Sequence, residues 1–149
     1  MNMIQINTLG YLVDRTFSNM VKFLNYELLA KGLDFQHPQF IILMILSKYD
    51  GLSQTELTTF IDRDKGSVSR NITYLESKGY IIRRMEGGKK KIIYLTEKGK
   101  SIIPILYDIS DNNMNTSLKG FSEKNKKAIF EMLRKMSDNV SIELEKANT

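Results

Sequence analysis

The sequence contains no cysteine and only one histidine, His37. The lack of cysteine excludes a disulfide framework, a thiolate metal site and a cysteine redox sensor. A single histidine excludes a metal site built from several histidines, and we expect neither a metal nor a cofactor. The sequence also lacks a glycine-rich nucleotide motif and a pair of carboxylates spaced for acid–base work. These absences together argue against an enzyme.

Long apolar runs are missing as well. The longest, residues 40–46, is far too short to span a bilayer. The first residues lack the basic region and the small-residue cleavage site of a signal peptide. We therefore expect a soluble, cytoplasmic protein without a membrane partner. With 149 residues, 42% of them hydrophobic, the chain can form a core, and we expect a single domain over residues 1–149.

Residues 53–79 predict two short helices joined by a tight turn. Ser53 and Glu56 have the spacing of a capping box at the start of the first helix. Asp64 is a good N-cap for the second helix, and Gly79 lies where a left-handed residue ends it.

The second of these helices has two different faces. Its apolar residues recur at helical spacing: Val68, Ile72 and Leu75. Its polar residues share another face, which has nothing apolar to bury: Ser67, Arg70, Asn71 and Tyr74. This is the pattern of a helix-turn-helix, whose second helix offers serines, arginine and asparagine to a DNA groove.

The formal net charge of +5 is concentrated in one part of the chain. Residues 62–91 hold nine Lys or Arg and four Asp or Glu, whereas the rest of the chain holds thirteen of each kind. A basic cluster on and directly after the helix-turn-helix is what the neutralisation of phosphates requires. The alternative is a lysine-rich surface that is only solvated.

A basic hairpin follows the helix-turn-helix. Residues 80–85 and 91–95 are β-branched and aromatic runs, and Gly87-Gly88 between them indicates a hairpin turn because both residues tolerate positive φ. Five cations surround the turn: Arg83, Arg84, Lys89, Lys90 and Lys91. We call residues 80–95 the wing, and we expect it to reach the DNA backbone or minor groove. A purely structural hairpin explains the glycines but not the cations.

Long helices are predicted at both ends of the chain. Helical spacing of apolar residues covers residues 7–31, then about 97–112, where the polar stretch after Asp111 loosens or ends the helix, and finally a helix capped by Ser122. The first helix has more apolar surface than its own domain can cover, so we expect part of it to face a partner chain. The fold class is therefore mainly α (α+β), with a winged helix-turn-helix lobe over residues 38–99. The helical dimerisation region comprises residues 7–31 and 97–147.

Five segments in register resemble a known family. They are Pro38-Gln-Phe-Ile-Ile-Leu, Gly51-Leu-Ser-Gln-Thr-Glu-Leu, Asp64-Lys-Gly-Ser-Val-Ser-Arg-Asn-Ile, Leu75-Glu-Ser-Lys-Gly-Tyr-Ile and Leu95-Thr-Glu-Lys-Gly. In this order and spacing the chain resembles the MarR family of bacterial and archaeal transcriptional regulators. The resemblance implies a homodimeric winged helix-turn-helix regulator whose terminal helices form the dimer interface. It also implies that a small phenolic or anionic aromatic compound releases the DNA.

We expect the protein to regulate transcription by binding specific sequences of double-stranded DNA, as a repressor that a small-molecule effector relieves. Two copies would bind an imperfect palindrome, with their second helices in major grooves about one helical turn apart. Arg70 is the best candidate for reading a base, because arginine to guanine is the commonest specific contact. A phosphate contact is the alternative for Arg70. The expected base contacts are Ser67, Ser69, Arg70 and Asn71. The expected phosphate contacts are Gln54, Thr55, Lys65, Tyr74, Arg83, Arg84, Lys89, Lys90 and Lys91.

An effector site follows only from the resemblance. In the family it lies where the first, second and fifth helices meet the DNA-binding lobe. By that resemblance a cleft for a small aromatic or anionic effector would be lined by Tyr11, Arg15, His37, Met44 and Tyr107. The alternative is that the aromatic and methionine side chains are plain core and that His37 is a satisfied connector residue.

The wing departs from the family pattern. Many members carry Asp followed by two arginines there, whereas this chain has Glu86-Gly-Gly-Lys-Lys-Lys. Lysine lacks the planar fork of arginine, so we expect phosphate contacts at the wing. Two other functions remain open: a DNA-coating architectural protein without sequence choice, and a protein-interaction module. The serines and Arg70 argue against the first, and the concentrated positive charge argues against the second.

Overall fold

The computed structural model describes residues 8–61 and 63–148. Asn7 and Asp62, which were expected at helix boundaries, lie outside these residues. The helices and strands of the described residues are α1 (Leu9–Ala30), α2 (His37–Lys48), β1 (Leu52–Ser53), α3 (Gln54–Phe60), α4 (Lys65–Ser77), β2 (Ile81–Glu86), β3 (Lys90–Leu95), α5 (Glu97–Ser117) and α6 (Glu123–Ala147). The mainly α fold class with a winged helix-turn-helix is confirmed.

The chain divides into two compact units, one ending at Asn113 and the other beginning at Met114. The first unit has its hydrophobic core around α2 and α4. From α2, the side chains of Phe40, Ile42, Leu43 and Leu46 are at most 4% exposed. The apolar residues 40–46 therefore lie in a helix at the centre of this core.

The wing forms as predicted, and it gains a third strand. β2 and β3 pair antiparallel from Ile81 opposite Leu95 to Glu86 opposite Lys90, and Gly87 and Gly88 close the turn with φ of +58° and +71°. β1 pairs with the other edge of β3, so that the strand order is β1-β3-β2. β1 was not predicted, because two residues are too short to show an alternation of apolar and polar side chains.

The predicted end of α5 near Asn112 is wrong, because the helix continues to Ser117. Its polar residues are used inside the first unit. The amide of Asn112 donates to a carboxylate oxygen of Glu27, and the amide of the buried Asn113 donates to the carbonyl oxygen of Met20 at 2.9 Å. These hydrogen bonds to α1 stabilise the helical conformation of a polar stretch whose composition alone favours a helix end.

In the second unit, α6 begins where Ser122 Oγ accepts the N–H of Asn125 at 3.2 Å, so the predicted cap is confirmed. No residue of α6 is buried, and most of its apolar side chains are exposed. They include Phe130, Leu133, Met136, Val140 and Leu144.

Candidate nucleic-acid interface

Side-chain caps hold both helix starts of the helix-turn-helix. Ser53 Oγ accepts the N–H of Glu56 at 3.2 Å, and Glu56 Oε2 accepts the backbone N–H of Ser53 at 2.8 Å. The hydrogen bond from the Ser53 backbone is the main cause of a lowered pKa of Glu56. At the second start, Asp64 Oδ1 accepts the N–H of Ser67 at 2.8 Å. Both predicted caps are confirmed.

α4 has one face in the core and the opposite face in solvent. Val68, Ile72 and Leu75 are at most 1% exposed, as their spacing predicts. The opposite face is formed by residues three and four apart, all of them exposed except Ser69, which is half-buried. We call this the outer face of α4, and it consists of Gly66, Ser69, Arg70, Thr73 and Ser77.

Arg70 lies in the middle of the outer face, with its guanidinium close to Gly66. A Cβ atom at Gly66 would come within 3.3 Å of Arg70 Nη1 and within 3.2 Å of Asp64 Oδ1. The glycine therefore leaves room for the arginine beside the helix start. Gly66, Thr73 and Ser77 were not predicted from the sequence, although their spacing from Arg70 at four, three and seven residues was the signal that could have found them.

The structure places Asn71 and Tyr74 on the flank of α4 rather than on its outer face. Asn71 Oδ1 accepts a hydrogen bond from Gln39 Nε2 on α2 at 2.8 Å. The Tyr74 hydroxyl donates to the carbonyl oxygen of Asp34, in the connector between α1 and α2. The Asn71 side-chain oxygen and the Tyr74 hydroxyl, both predicted to contact DNA, thus form hydrogen bonds within the protein itself.

Arg83 and Lys90 of the wing also have carboxylate partners. Arg83 Nε donates to Glu76 Oε2 at 3.0 Å, which lowers the pKa of Glu76 and raises that of Arg83. Lys90 Nζ lies 3.5 Å from Glu56 Oε1, with both side chains about half exposed. This second pair is the weaker one, because solvent screens it.

The other cations and polar groups predicted to contact phosphates remain at the surface. Lys65, Lys89 and Lys91 are exposed, as is Arg84, whose guanidinium lies 5.8 Å from the centre of the Tyr94 ring. In the first turn of α3, Thr55 is exposed and Gln54 is half-buried. The structure therefore brings Lys65 at the start of α4 and the lysines of the wing to solvent, as phosphate contacts require.

Among the described residues, hydrogen bonds link two of the five predicted effector residues. Ser47 Oγ joins two of them, since it donates to the carbonyl oxygen of Met44 at 2.7 Å and lies 3.2 Å from the hydroxyl of Tyr107. Tyr11 and Arg15 are exposed on α1. Among the described residues, no hydrogen bond, ion pair or ring contact joins Tyr11 or Arg15 to the other three predicted residues.

The fifth effector residue, His37, is half-buried against α1. Its ring meets that of Phe17 edge-on, with 5.7 Å between the ring centres, and its backbone N–H donates to Asn25 Oδ1 at 2.8 Å. Burial, and secondarily the charge of Arg63, lowers the pKa of His37. The histidine therefore favours its neutral form.

Residues 8–61 and 63–148 contain no helix with the length and apolar character needed to cross a membrane. The same residues contain no group of three or more His, Asp or Glu side chains placed to hold a metal ion.

Comparison with known proteins points to regulators of transcription. A model of the MarR family matches residues 35–91. The chain is 30% identical over 112 residues to the uncharacterized helix-turn-helix-type transcriptional regulator YybA of Bacillus subtilis (strain 168), covering 74% of this chain and 75% of YybA. The crystal structure of the transcriptional regulator SlyA matches with a TM-score of 0.85 and 27% identity, over 93% of this chain and 98% of that one.

A third match shares the fold at lower identity. BpsR of Bordetella bronchiseptica, whose DNA binding is regulated by 6-hydroxynicotinic acid, is 18% identical with a TM-score of 0.78. The alignment covers 91% of this chain and 98% of BpsR.

Proposed function

Because the chain belongs to the MarR family of transcriptional regulators, we propose that it recognises specific sequences of double-stranded DNA through the outer face of α4. The observation that carries this proposal is the exposed Arg70 at the centre of that face, beside a half-buried Ser69 and an exposed Thr73. An arginine there can donate two hydrogen bonds to guanine in the major groove, and serine or threonine can bond to any base.

The exposed lysines around α4 supply the affinity in this proposal. Lys65 lies at the start of α4, Lys89 lies in the turn of the wing, and Lys91 lies near the start of β3. Lysines in these positions neutralise phosphates without reading sequence. We assign Thr55, Arg84 and Lys90 to the same role, whereas Arg83 holds the wing to α4.

In this proposal, residues on the outer face of α4 read the bases, and the flank residues Asn71 and Tyr74 do not. Ser67 is half-buried, as is Ser69, and its backbone N–H donates to the Asp64 cap; we assign its hydroxyl a minor part beside Arg70. Asn71 and Tyr74 orient α4 through Gln39 and Asp34. Discrimination between sequences therefore depends on Ser69, Arg70 and Thr73.

We further propose that the protein acts as a homodimer on a palindromic operator. Leu9, Leu12, Val13 and Phe17 of α1 are 41–62% exposed, and α6 presents a similar row of apolar side chains. Apolar rows of this length favour burial against a second chain. A two-fold axis between the copies would place the two α4 helices about 34 Å apart, in successive major grooves.

The proposal also includes a small-molecule effector. By family membership we propose that a small aromatic or anionic compound relieves repression, as 6-hydroxynicotinic acid regulates the DNA binding of BpsR. The site would lie near Met44 and Tyr107, which Ser47 already connects. Such a compound shifts the equilibrium between the form that binds DNA and the form that does not only if it binds the second form more tightly. A regulator of this kind acts where the genome lies, so we also propose a cytoplasmic location.

The test is selection of DNA duplexes from a random-sequence pool by the full chain, followed by footprinting at two salt concentrations with competitor DNA. A regulator enriches a palindrome and protects it as a defined segment. A DNA-coating architectural protein protects all sequences evenly, and a protein-interaction module binds none even at low salt. Either of these last two results would overturn the proposed function.

A further inference from the structure

The connector between α1 and α2 meets the last turns of α4 through one residue, Asp34. Its carboxylate Oδ2 lies 3.0 Å from Lys78 Nζ, and its Oδ1 accepts a hydrogen bond from the Tyr80 hydroxyl at 3.3 Å. Its carbonyl oxygen accepts the Tyr74 hydroxyl. Three polar groups from the end of α4 and the residues just after it thus converge on a residue 40 to 46 positions earlier in the sequence.

Asp34 is fixed in place by its neighbours in the connector. Leu33 and Phe35 on either side are 8% and 4% exposed, and Phe35 packs edge-on against Tyr80 with ring centres 5.2 Å apart. Lys98 lies 4.4 Å from the centre of the same Tyr80 ring and donates to the Lys78 carbonyl oxygen at 2.6 Å. The backbone of Asp34 is therefore anchored in the core, while its carboxylate reaches outward to α4.

A surface ion pair by itself does little for stability, and the side chains of Lys78 and Asp34 are 41% and 47% exposed. The contacts of Asp34 have a second effect, because they restrict the direction of α4. Gln39 holds α4 at Asn71, and Asp34 holds it one and two turns further on, at Tyr74 and Lys78. Two supports at separate points along one flank restrict the angle of a helix more tightly than one support does.

We propose that Asp34 is a positioning residue, which fixes the direction of α4 relative to α1 and thereby determines which bases the outer face reads. This inference rests on the proposed reading of DNA by α4. Without Asp34, the end of α4 keeps its buried face and the Glu76–Arg83 bond, but it loses the contacts that restrict its angle along this flank. Arg70 then still meets phosphates, but it no longer holds the angle that two hydrogen bonds to one base require.

The pair also prevents Lys78 from acting as a general phosphate contact. Lys78 stands beside the outer face, and a free ammonium there would add affinity for every sequence alike. The nearby carboxylate of Asp34 neutralises the charge of Lys78 locally. Loss of Asp34 thus weakens discrimination in two ways, because specific binding falls while non-specific binding rises.

The test compares Asp34→Ala with Glu97→Ala. Both variants remove one exposed carboxylate that pairs with a lysine, but the Glu97–Lys100 pair lies within α5, at 3.5 Å. Tyr74→Phe is the second variant, because it removes one of the Asp34 contacts and leaves the charge unchanged. All are measured as full chains, free and bound to two duplexes: the one that wild type enriches from a random pool, and a scrambled duplex of equal length.

In the free protein, amide hydrogen exchange at residues 77–80 is expected to be roughly three- to tenfold faster in Asp34→Ala and Tyr74→Phe, as for the loss of one hydrogen bond. Glu97→Ala leaves it unchanged. On DNA, the ratio of enriched to scrambled affinity falls by about tenfold in Asp34→Ala, similar to one lost base contact. Tyr74→Phe gives a smaller loss in the same direction.

Unchanged exchange at residues 77–80 in Asp34→Ala overturns the proposal, whatever the DNA results. So does an Asp34→Ala protein that binds both duplexes more tightly by the same factor, because that is the effect of removing a charge alone, and Glu97→Ala would match it. If wild type binds neither duplex, the proposed function falls. The exchange measurement then still decides whether Asp34 holds α4.

Discussion

The carboxylate of Glu76 in α4 accepts hydrogen bonds from both the backbone and the side chain of Arg83 in β2. Glu76 Oε1 accepts the backbone N–H of Arg83 at 3.1 Å, and Oε2 accepts the guanidinium Nε at 3.0 Å. Because β2 is an edge strand of the sheet, this carboxylate occupies a backbone N–H that would otherwise be open to another strand. The wing is thereby attached to the helix proposed to read DNA.

Replacing Arg83 by Gln is expected to reduce stability more than DNA binding. The side chains of Arg83 and Glu76 are 26% and 33% exposed, so solvent screens the pair in part. We expect the free energy of unfolding to fall by about 1 kcal/mol, measured by urea denaturation. The control is Arg84→Gln, on an exposed side chain in the same strand, which should change stability by less than about 0.5 kcal/mol. A change in the salt dependence of DNA binding with unaltered stability would show that Arg83 contacts phosphate instead.

Replacing Arg70 by Ala is expected to relax sequence preference. Arg70 lies at the centre of the outer face, and the loss of a bidentate contact to a base costs roughly 1–3 kcal/mol of binding. Competition binding with single-base variants of the selected operator measures this loss. The preference should weaken at one position of each half-site and remain elsewhere. Equal weakening for all duplexes would assign Arg70 to phosphate.

Replacing Lys89 by Ala tests a phosphate contact, which should not depend on the base sequence. Lys89 is exposed at the tip of the wing, and we expect its loss to weaken binding to all sequences alike. The slope of log affinity against log salt should become shallower by about 0.9, the value for one phosphate contact. Lys124→Ala in α6 is the matched control, since it removes the same charge outside the helix-turn-helix and wing. A sequence-dependent effect of Lys89→Ala would contradict the assignment.

Local signals explain which parts of the fold were predictable. The capping box of Ser53 and Glu56, the Asp64 cap and the Gly87-Gly88 turn each depend on residues within four positions of one another. Such patterns can be recognised in a sequence because the contact and the motif are the same few residues. The apolar spacing of α4 likewise predicted its buried face correctly.

Contacts between distant residues explain what was not predictable. Asn71 and Tyr74 are polar and lie in the right helix, but their partners are Gln39 and Asp34, 32 and 40 positions away. The sequence alone therefore could not separate the flank of α4 from its outer face. Asn112 and Asn113 behave in the same way, because their hydrogen bonds to α1 extend a helix that composition alone ends too early.

Gly99 is expected to tolerate no side chain. It is buried in α5, and a Cβ atom there would stand 2.1 Å from the carbonyl oxygen of Tyr80, well inside the contact distance. Gly99→Ala should therefore lower the free energy of unfolding by about 1–3 kcal/mol, as forced overpacking does. The matched control is Gly10→Ala, since Gly10 is also helical but a Cβ atom there would meet nothing within 4 Å. That change should stabilise by roughly 0.5–1 kcal/mol. Thermal or urea unfolding distinguishes the two, and equal effects would contradict the close approach.

His37 is expected to have a pKa below that of a free histidine. Its ring is half-buried against Phe17, so the charged form lacks much of the hydration that it would have in water, and the charge of Arg63 repels it. Because His37 is the one histidine of the sequence, its ring proton gives a single resolved NMR titration. The unfolded chain takes up this proton near pH 6.5, before the folded chain does. The contribution of neutral His37 to stability is thus complete above about pH 6.5 and is lost as the pH falls through the folded pKa.

Two variants separate the causes of the lowered pKa. Arg63→Gln should raise the pKa of His37 part of the way towards its ordinary value, because it removes the repulsion and leaves the burial. His37→Gln should flatten the decline in unfolding free energy below about pH 6.5, because no histidine then titrates. The control is Lys48→Gln, which removes a cation from the other end of α2 and should leave the titration unchanged. A wild-type pKa at or above about 6.5 would show that His37 is open to water or has a carboxylate beside it.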